Sequence, residues 1–383
     1  MHISVRIIVT LFLSYISSST YGQSPKTFYV GHSLSDDIPD MVQSLSDDHT
    51  IVDFSWVYQS IPGAPLRWQW DRKAAMDYTA TPPHIYGFYD ENHGLPAGNF
   101  DVLVLTESVP RQIAYIDETY AYADSFYRYA TTYNPDLRVY LYEDWHCLQS
   151  GTPTGCAYDV DSNPWRQRLE DDLAMWESVV DTLNARFYPD PPVCMIPAAQ
   201  GLATLYDSIQ VGAMPGLSQI SDIFTDDIHL TEVGKYYIAC IHFAMIHETS
   251  PVGLTHQLKN RWQNNYSAPS PALALKFQEM AWETVIRYPK SCARVTTAVD
   301  VQLESDGLTL MPNPTADVFE IQGLIGQYDI VILNSSGQVY QTLSTSDDRI
   351  ELSLETLPMG LYFIKIENML NHNIRMEKIL KQH

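Results

Sequence analysis

The sequence predicts an α/β domain built on a parallel sheet, followed by a small C-terminal β-sandwich. Two observations carry this prediction. Up to about residue 296, short apolar runs alternate with longer segments of helical apolar spacing, which is typical of a layered parallel fold. From about residue 300 onward the pattern changes to short strands separated by turns, which is typical of a sandwich.

Five apolar runs predict the strands of the parallel sheet. The third run, FDVLVL, has the continuous apolar character of a strand that is buried on both faces. Residues 251–296 are expected to add further helices that close the domain. The predicted strands are 26–31, 52–58, 100–105, 137–142 and 192–197, and the predicted helices are 38–45, 113–133, 165–187 and about 231–247.

The C-terminal segment predicts a β-sandwich of about seven short strands. Five of them are visible as alternating or apolar runs, separated by turns rich in Gly, Pro, Asn and Ser. These runs are 318–321, 328–333, 338–343, 349–352 and 362–367.

The composition is that of a globular protein with an acidic surface. Hydrophobic residues make up 45% of the 383 residues, which suits one large domain with a sizeable core and one small domain. The formal net charge of −23 makes nucleic acid a poor partner, because an acidic surface repels phosphate backbones.

The N-terminus, at 1–22, has the pattern of a secretory signal peptide. Arg6 supplies a positive charge, an apolar run follows at 7–16, and small residues precede a cleavage site after Gly22. The run is far shorter than the roughly 20 residues that a membrane span needs. No later segment is long and apolar enough, so the sequence predicts export and no transmembrane segment.

Export permits disulfides among the five cysteines. Cys147 and Cys156 bracket a turn-rich stretch and form the best candidate pair. The odd number leaves at least one thiol over, and Cys240, in an apolar run, is expected to be a buried free thiol. No Cys-x-x-Cys spacing occurs, and His242 and His247 do not share a helix face, so we expect no metal site.

Two short motifs indicate nucleophilic catalysis. Ser33 directly follows the first predicted strand, where an α/β sheet exposes a nucleophile at the carboxyl ends of its strands. Asp226 and His229 precede the last helix of the predicted strand–helix alternation. A histidine takes the serine proton, and a carboxylate three residues earlier orients that histidine. Taken alone, the first motif also fits a helix N-cap serine, and the second fits a surface loop with an acidic N-cap.

Together the motifs resemble the SGNH, or GDSL, hydrolase superfamily over about 24–296. That family has its serine in a Gly-Asp-Ser-Leu block after the first strand and an Asp-x-x-His block before the last helix. The resemblance implies a three-layer α/β/α domain with Ser33 as nucleophile, His229 as general base and acid, and Asp226 as its orienting carboxylate. His32 stands where the family usually has Asp.

Two further blocks of this family concern the oxyanion hole. Gly63, after the second predicted strand, matches the family's N–H-donating glycine, with an ordinary turn glycine as the alternative. The third block normally supplies an Asn, but this sequence has Glu107 and Ser108 in that region. Ser108 offers a hydroxyl donor, whereas an ionised Glu107 would repel an oxyanion. The departure indicates a divergent subfamily or a damaged enzyme. Asp227 is a rival carboxylate, one residue out of the family spacing.

Three side chains that follow predicted strands are candidates for substrate binding. They are Glu107, Trp145 and His146. Aromatic rings and carboxylates beside a nucleophile suit stacking and hydrogen bonding to a sugar ring, while packing in the core or at its rim is the alternative.

The C-terminal residues, about 300–383, resemble the type A sorting domain of the type IX secretion system of Bacteroidetes. The matching blocks are LMPNPT at 310–315, YDIVILN at 328–334 and LPMGLYFIKI at 357–366. The resemblance implies a β-sandwich that the outer-membrane secretion machinery recognises, with the cell surface or the medium as destination. A carbohydrate-binding sandwich is the alternative.

The combined prediction is a secreted serine esterase that needs no cofactor. The favoured substrate is an acyl ester, O-acetyl above all, on an extracellular polysaccharide, and this choice rests on export and aromatic content. One alternative is a lipase or phospholipase of the same fold. The other is a surface glycan-binding protein with little or no turnover.

Overall fold

The structure of the protein is a computed structural model. The predicted signal peptide and Cys156 lie outside the described residues. The chain divides into two compact units, Met1–Arg294 and Val295–His383. The structure describes residues 25–49, 53–71, 85–109, 113–149, 162–293 and 309–382, the last range with gaps at 325, 335–338 and 369–373.

Within the described residues, the first unit contains a five-stranded sheet with the order β2-β1-β3-β4-β5. All neighbouring strands run parallel, as the apolar runs predicted. Because the strands share one direction, their carboxyl ends lie along a single edge, where sites form in such sheets. The strands are β1 (Lys26–Gly31), β2 (Ser55–Ser60), β3 (Val102–Thr106), β4 (Arg138–Tyr142) and β5 (Cys194–Ile196).

Helices cover both faces of this sheet and give the predicted α/β/α layers. Tyr29 and Tyr142 face a core shared with α1, α5, α6 and α7, whereas Phe28 and Leu141 face a core shared with α3 and most of α4. No helix in the described part of the chain is both long and apolar enough to cross a membrane. The helices are α1 (Ile38–Asp48), α2 (Leu66–Asp71), α3 (Ile116–Tyr133), α4 (Trp165–Phe187), α5 (Ala198–Gln210), α6 (Glu232–His247) and α7 (Pro271–Arg287).

The helices differ from the prediction at α2, at α5 and over 251–270. No helix was predicted at α2 or α5, and Gly201 of α5 packs so closely on α6 that a Cβ would lie 2.5 Å from Ile241 Cδ1. The prediction of helices over 251–296 is right for α7 but wrong for 251–270, which form no helix. There the backbone turns at Gly253 (φ 91°) and Gln263 (φ 64°), left-handed conformations that a helix does not contain.

In its described residues, the second unit contains two antiparallel sheets around one core, as the sandwich pattern predicted. The strand orders are β10-β7-β6 and β12-β11-β8-β9. Phe319 of one sheet and Ile330 and Ile364 of the other are buried in the shared core. The strands are β6 (Thr309–Met311), β7 (Val318–Gln322), β8 (Tyr328–Asn334), β9 (Val339–Thr345), β10 (Arg349–Ser353), β11 (Gly360–Asn368) and β12 (Ile374–Lys381).

A disulfide links two segments of the first unit that are far apart in the chain. Cys194 in β5 forms a disulfide with Cys292, 98 residues later, a pairing that the sequence analysis did not predict. Cys147 is also disulfide-bonded, and Cys156, its predicted partner, lies outside the described residues. Cys240 in α6 is free and buried, as predicted.

Candidate active site

Ser33 begins a short 3-10 turn, Ser33–Ser35, directly after β1. The backbone N–H and the hydroxyl of Ser35 both donate to the His32 carbonyl, at 2.9 and 2.8 Å, and close this turn. Gly31 makes the closure possible, because a Cβ there would lie 2.1 Å from Ser35 Oγ. The turn leaves Ser33 half-buried at the carboxyl edge of the sheet.

The structure brings Ser33, His229 and Asp226 into one hydrogen-bonded series. His229 Nε2 lies 2.9 Å from Ser33 Oγ, and His229 Nδ1 lies 2.7 Å from Asp226 Oδ2. An imidazole held in this way can accept the serine proton at Nε2 while its Nδ1–H donates to the carboxylate. The side chain of His229 is 39% exposed, so an external substrate has access to it.

Asp226 is held by the backbone of its own loop, Asp226–His229, here called the histidine loop. Its Oδ1 accepts hydrogen bonds from the backbone N–H groups of Ile228 and His229, at 2.8 and 2.7 Å. Partial burial works to raise the pKa of Asp226, but these donors and the His229 ring outweigh it and lower the pKa below its usual value. The carboxylate is therefore ionised at neutral pH and oriented toward the ring.

The adjacent Asp227 is directed elsewhere. Its Oδ1 accepts from the backbone N–H of Gln149 at 3.0 Å, and its carbonyl accepts from the N–H of Leu148 at 2.7 Å. The indole N–H of Trp145 donates to the Ile228 carbonyl at 2.8 Å. These contacts fix the histidine loop to the segment that follows β4.

His32, next to Ser33, is buried in a polar cluster. Its Nε2 lies 3.1 Å from Asp144 Oδ2 and 3.0 Å from the Glu107 carbonyl oxygen, and its Nδ1 accepts from the N–H of Leu34 at 3.3 Å. Burial works to lower the pKa of His32, but the hydrogen bond and charge of Asp144, with a smaller contribution from Glu107, raise it above its usual value. His32 thus links the turn that carries Ser33 to the ends of β3 and β4. The sequence patterns did not indicate that Asp144 contacts His32.

Glu107 is buried, with 1% of its surface exposed. Its carboxylate accepts from the N–H groups of Leu66 and Ser108, at 3.2 and 2.8 Å, and from the Thr119 hydroxyl at 2.9 Å. The Ser108 hydroxyl lies 3.3 Å from the same carboxylate, as a donor. Glu107 therefore anchors the start of α2 in this structure.

Gly63 lies in the turn after β2 with a φ of 67°, a left-handed conformation that favours glycine. β2 pairs with β1 so that Ser60 is opposite Gly31, and the N–H of Ile61 donates to the Gly31 carbonyl at 3.1 Å. The turn therefore lies at the same sheet edge as Ser33. Within the described residues, the Gly63 N–H donates no hydrogen bond.

The two substrate-binding candidates that follow β4 are also buried. Trp145 is 1% exposed and His146 is 6% exposed. The Trp145 indole bonds to the histidine loop, and His146 Nε2 lies 2.6 Å from Asp172 Oδ2. Both side chains contact protein groups here. Among the described residues, no group of three or more His, Cys, Asp and Glu side chains is placed to hold a metal ion.

Residues 309–382 match the family model of the secretion system C-terminal sorting domain. The match confirms the resemblance of the tail to a type IX sorting domain. It indicates export to the cell surface or into the medium, and interaction with the secretion machinery.

Several solved structures are distantly similar to the chain. A DUF4886 family protein from Bacteroides uniformis shares 12% identity over 69% of this chain and 96% of its own, with a TM-score of 0.44. A carbohydrate esterase family 3 protein from Talaromyces cellulolyticus shares 12% identity over 59% of this chain and 100% of its own, with a TM-score of 0.34.

The periplasmic domain of a lipopolysaccharide acetyltransferase from Salmonella ser. Paratyphi A shares 12% identity, covering 47% of this chain and 68% of its own, with a TM-score of 0.28. No curated protein matches the chain in sequence. These likenesses are distant, so the activity is inferred from the side chains of the site.

Proposed function

We propose that the first unit is a serine esterase that acts on an acyl ester outside the cell, with Ser33, His229 and Asp226 as its catalytic triad. The observation that carries this proposal is the series of contacts at 2.9 and 2.7 Å from Ser33 Oγ through the His229 ring to Asp226 Oδ2. An N-cap serine and an unrelated surface loop would not need this alignment, which joins residues 196 positions apart.

Each side chain has a defined part in the proposed reaction. Ser33 Oγ attacks the acyl carbon while His229 Nε2 takes its proton, and the carbonyl oxygen becomes an oxyanion. Collapse of this intermediate breaks the ester bond, and the leaving alcohol takes the proton from His229. Water then attacks the acyl-serine while His229 takes its proton. The bond from the acyl carbon to Ser33 Oγ breaks, His229 returns the proton to Ser33 Oγ, and the carboxylic acid leaves. Asp226 holds the imidazole tautomer throughout.

Backbone donors supply the proposed oxyanion hole. The N–H groups of Ser33 and Gly63 are its candidates, since both residues lie at the carboxyl edge of the sheet. Ser108 is a weaker candidate because its hydroxyl bonds to Glu107. Loss of one donor typically costs about 10²- to 10³-fold in rate, so a site without the family Asn can still turn over its substrate.

The favoured substrate is an O-acetyl ester on an extracellular polysaccharide. The sorting domain indicates an extracellular destination, where polysaccharides are available as substrates. The net charge of −23 disfavours capture of a polyanionic substrate or an anionic lipid surface. An acetylated glycan is found outside the cell, and a neutral one is not repelled by the negative charge of the protein.

The test is hydrolysis of p-nitrophenyl acetate by the wild type and by Ser33→Ala. We expect Ser33→Ala to lower kcat by about 10⁴-fold or more, to background, because the nucleophile is lost. Ser125→Ala, on the exposed side of α3, serves as the matched control and should retain wild-type activity.

Undiminished turnover by Ser33→Ala would contradict the triad. A wild type that cleaves neither p-nitrophenyl acetate nor acetylated polysaccharides would contradict the esterase. In that case the glycan-binding alternative would be favoured.

A further inference from the structure

A polar cavity of about 420 Å³ lies between α1 and the loop Thr255–Gln263, here called the 255–263 loop. All of its lining side chains are polar. Those from α1 span Asp40 to Asp48 at the spacing of one helix face. The loop closes over this face because the N–H of Lys259 donates to Ser44 Oγ at 3.0 Å.

The cavity offers hydrogen-bonding groups that have no protein partner. Within the described residues, the side-chain amides of Gln257 and Gln263 and the carboxylate of Asp47 make no hydrogen bond. An amide both donates and accepts, and a carboxylate accepts, so this set suits a ligand with several hydroxyl groups.

The charges of the cavity nearly balance. Asp40 is buried and paired with Arg261 at 2.6 Å, which neutralises both groups. Of the remaining charged lining residues, Lys259 is cationic, whereas Asp47 and Asp48 are anionic. This small negative excess disfavours an anionic occupant and is compatible with a neutral one.

An exposed aromatic ring stands at the rim of the cavity. Trp262 is 63% exposed, between the lining residues Arg261 and Gln263. The Arg261 guanidinium lies 4.4 Å from the ring centroid of Trp56 and 5.0 Å from that of Trp262. A solvent-exposed indole beside a polar cavity suits a sugar, because its electron-rich face attracts the C–H groups of the ring while the hydroxyls bind polar side chains.

The chain beyond this loop contacts residues that follow Ser33 and His229 in the sequence. The Tyr266 hydroxyl lies 3.3 Å from Asp37 Oδ1, four residues after Ser33. The N–H of Ser267 donates to Glu232 Oε2 at 2.5 Å, three residues after His229. The segment that follows the 255–263 loop therefore packs beside residues that flank Ser33 and His229 in the chain.

We propose that this cavity, with Trp262 at its rim, is a subsite that binds a neutral sugar unit of the polysaccharide whose ester is cleaved at Ser33. The inference rests on the proposed function and adds the feature that retains a polymer. It assigns binding to Trp262 and Gln257, away from the reacting atoms.

Binding can be measured without turnover by using the full chain with Ser33→Ala. Affinity electrophoresis in gels that contain xylan, glucomannan or mixed-linkage β-glucan gives a Kd for each polysaccharide. We expect retardation by at least one of them, and we expect Trp262→Ala and Gln257→Ala each to raise its Kd about tenfold or more. Leu275→Ala, which removes an exposed apolar side chain of α7, is the control and should leave the Kd within about twofold.

The subsite is overturned if none of the three polysaccharides retards the protein, or if Trp262→Ala binds as tightly as its parent. Thermal unfolding of each variant checks its fold, and Gln257→Ala decides if Trp262→Ala does not fold. Turnover of p-nitrophenyl acetate by the wild type separates the two proposals. Turnover without glycan binding contradicts the subsite alone, whereas glycan binding without turnover of either p-nitrophenyl acetate or acetylated polysaccharides contradicts the esterase.

Discussion

At the scale of single residues, the proposed reaction depends on which of two adjacent carboxylates faces His229. Asp226 contacts the ring at 2.7 Å and has a lowered pKa, while Asp227 is bound to the backbone of Gln149. The two residues have the same chemistry and neighbouring positions, so they form a matched pair for mutagenesis.

We predict that Asp226→Asn lowers the kcat for p-nitrophenyl acetate by about 10³- to 10⁴-fold, since the amide no longer holds the required imidazole tautomer. Asp227→Asn should lower it by less than about tenfold, because only the support of the loop changes. Steady-state kinetics of the two purified variants measure this. Equal losses in both would count against Asp226 as the orienting carboxylate.

His32 shows how the turn that carries Ser33 is held. Asp144, at the end of β4, approaches its imidazole at 3.1 Å. Asp144 Oδ2 also accepts from the Thr106 hydroxyl at 2.5 Å. The turn that carries Ser33 is therefore joined to both β3 and β4.

At the scale of secondary-structure elements, a buried acid joins the end of β4 to the start of α5. Glu143 has no exposed surface, and its two oxygens accept from the backbone N–H and the side-chain amide of Gln200, at 3.2 and 2.9 Å. Burial raises the pKa of Glu143 to about 8, although the Gln200 donors work to lower it.

This raised pKa makes the stability depend on pH. The ordinary pKa of a glutamate is 4.5, so between about pH 4.5 and 8 the folded chain holds a proton that the unfolded chain releases. The free energy of unfolding therefore falls as pH rises through this range. Gln has no proton to lose. The free energy of unfolding of Glu143→Gln should therefore rise by about 1–3 kcal/mol relative to that of the wild type when the pH is raised from about 5 to 8.5.

Urea unfolding at the two pH values measures this difference. Glu170→Gln, on the exposed side of α4, is the control. Its free energy of unfolding should change with pH as that of the wild type does. If the free energy of unfolding changed equally with pH in Glu143→Gln and in the wild type, the Glu143 carboxyl would be ionised throughout the range, and the prediction would be wrong.

At the scale of the whole molecule, each of the two units has its own core. Ser33, Asp226 and His229 all belong to the first unit. The second unit surrounds a separate cluster that includes Phe319 and Ile330, and it contains the match to the sorting domain. The division separates the proposed chemistry from the export signal.

We predict that deletion of residues 309–383 stops export across the outer membrane but leaves p-nitrophenyl acetate hydrolysis within about twofold of the wild type, because the first unit keeps its core. Fractionation of cultures into periplasm, cell surface and medium measures the export. In the reciprocal control, residues 309–383 fused to a periplasmic reporter should carry it out of the cell. Normal export of the truncated chain would contradict the role of the tail.

Much of the architecture could be predicted from the sequence because it depends on local patterns. Apolar runs such as 100–105 indicate buried strands wherever they pack, and β1 begins and ends where the sequence predicted. The tail was recognised from short blocks that keep their spacing. Ser33 and His229 could be selected as candidates because each follows a local motif.

Only the tertiary structure decided which distant groups meet. Cys194 pairs with Cys292, and Asp226 rather than Asp227 contacts the imidazole. The carboxylate of Glu107 is buried and accepts a hydrogen bond from the N–H of Leu66 at the start of α2. The tertiary structure also formed the cavity between α1 and the 255–263 loop. These outcomes depend on contacts between segments far apart in the chain, and the energies of such contacts are set by packing and burial, which no local pattern contains.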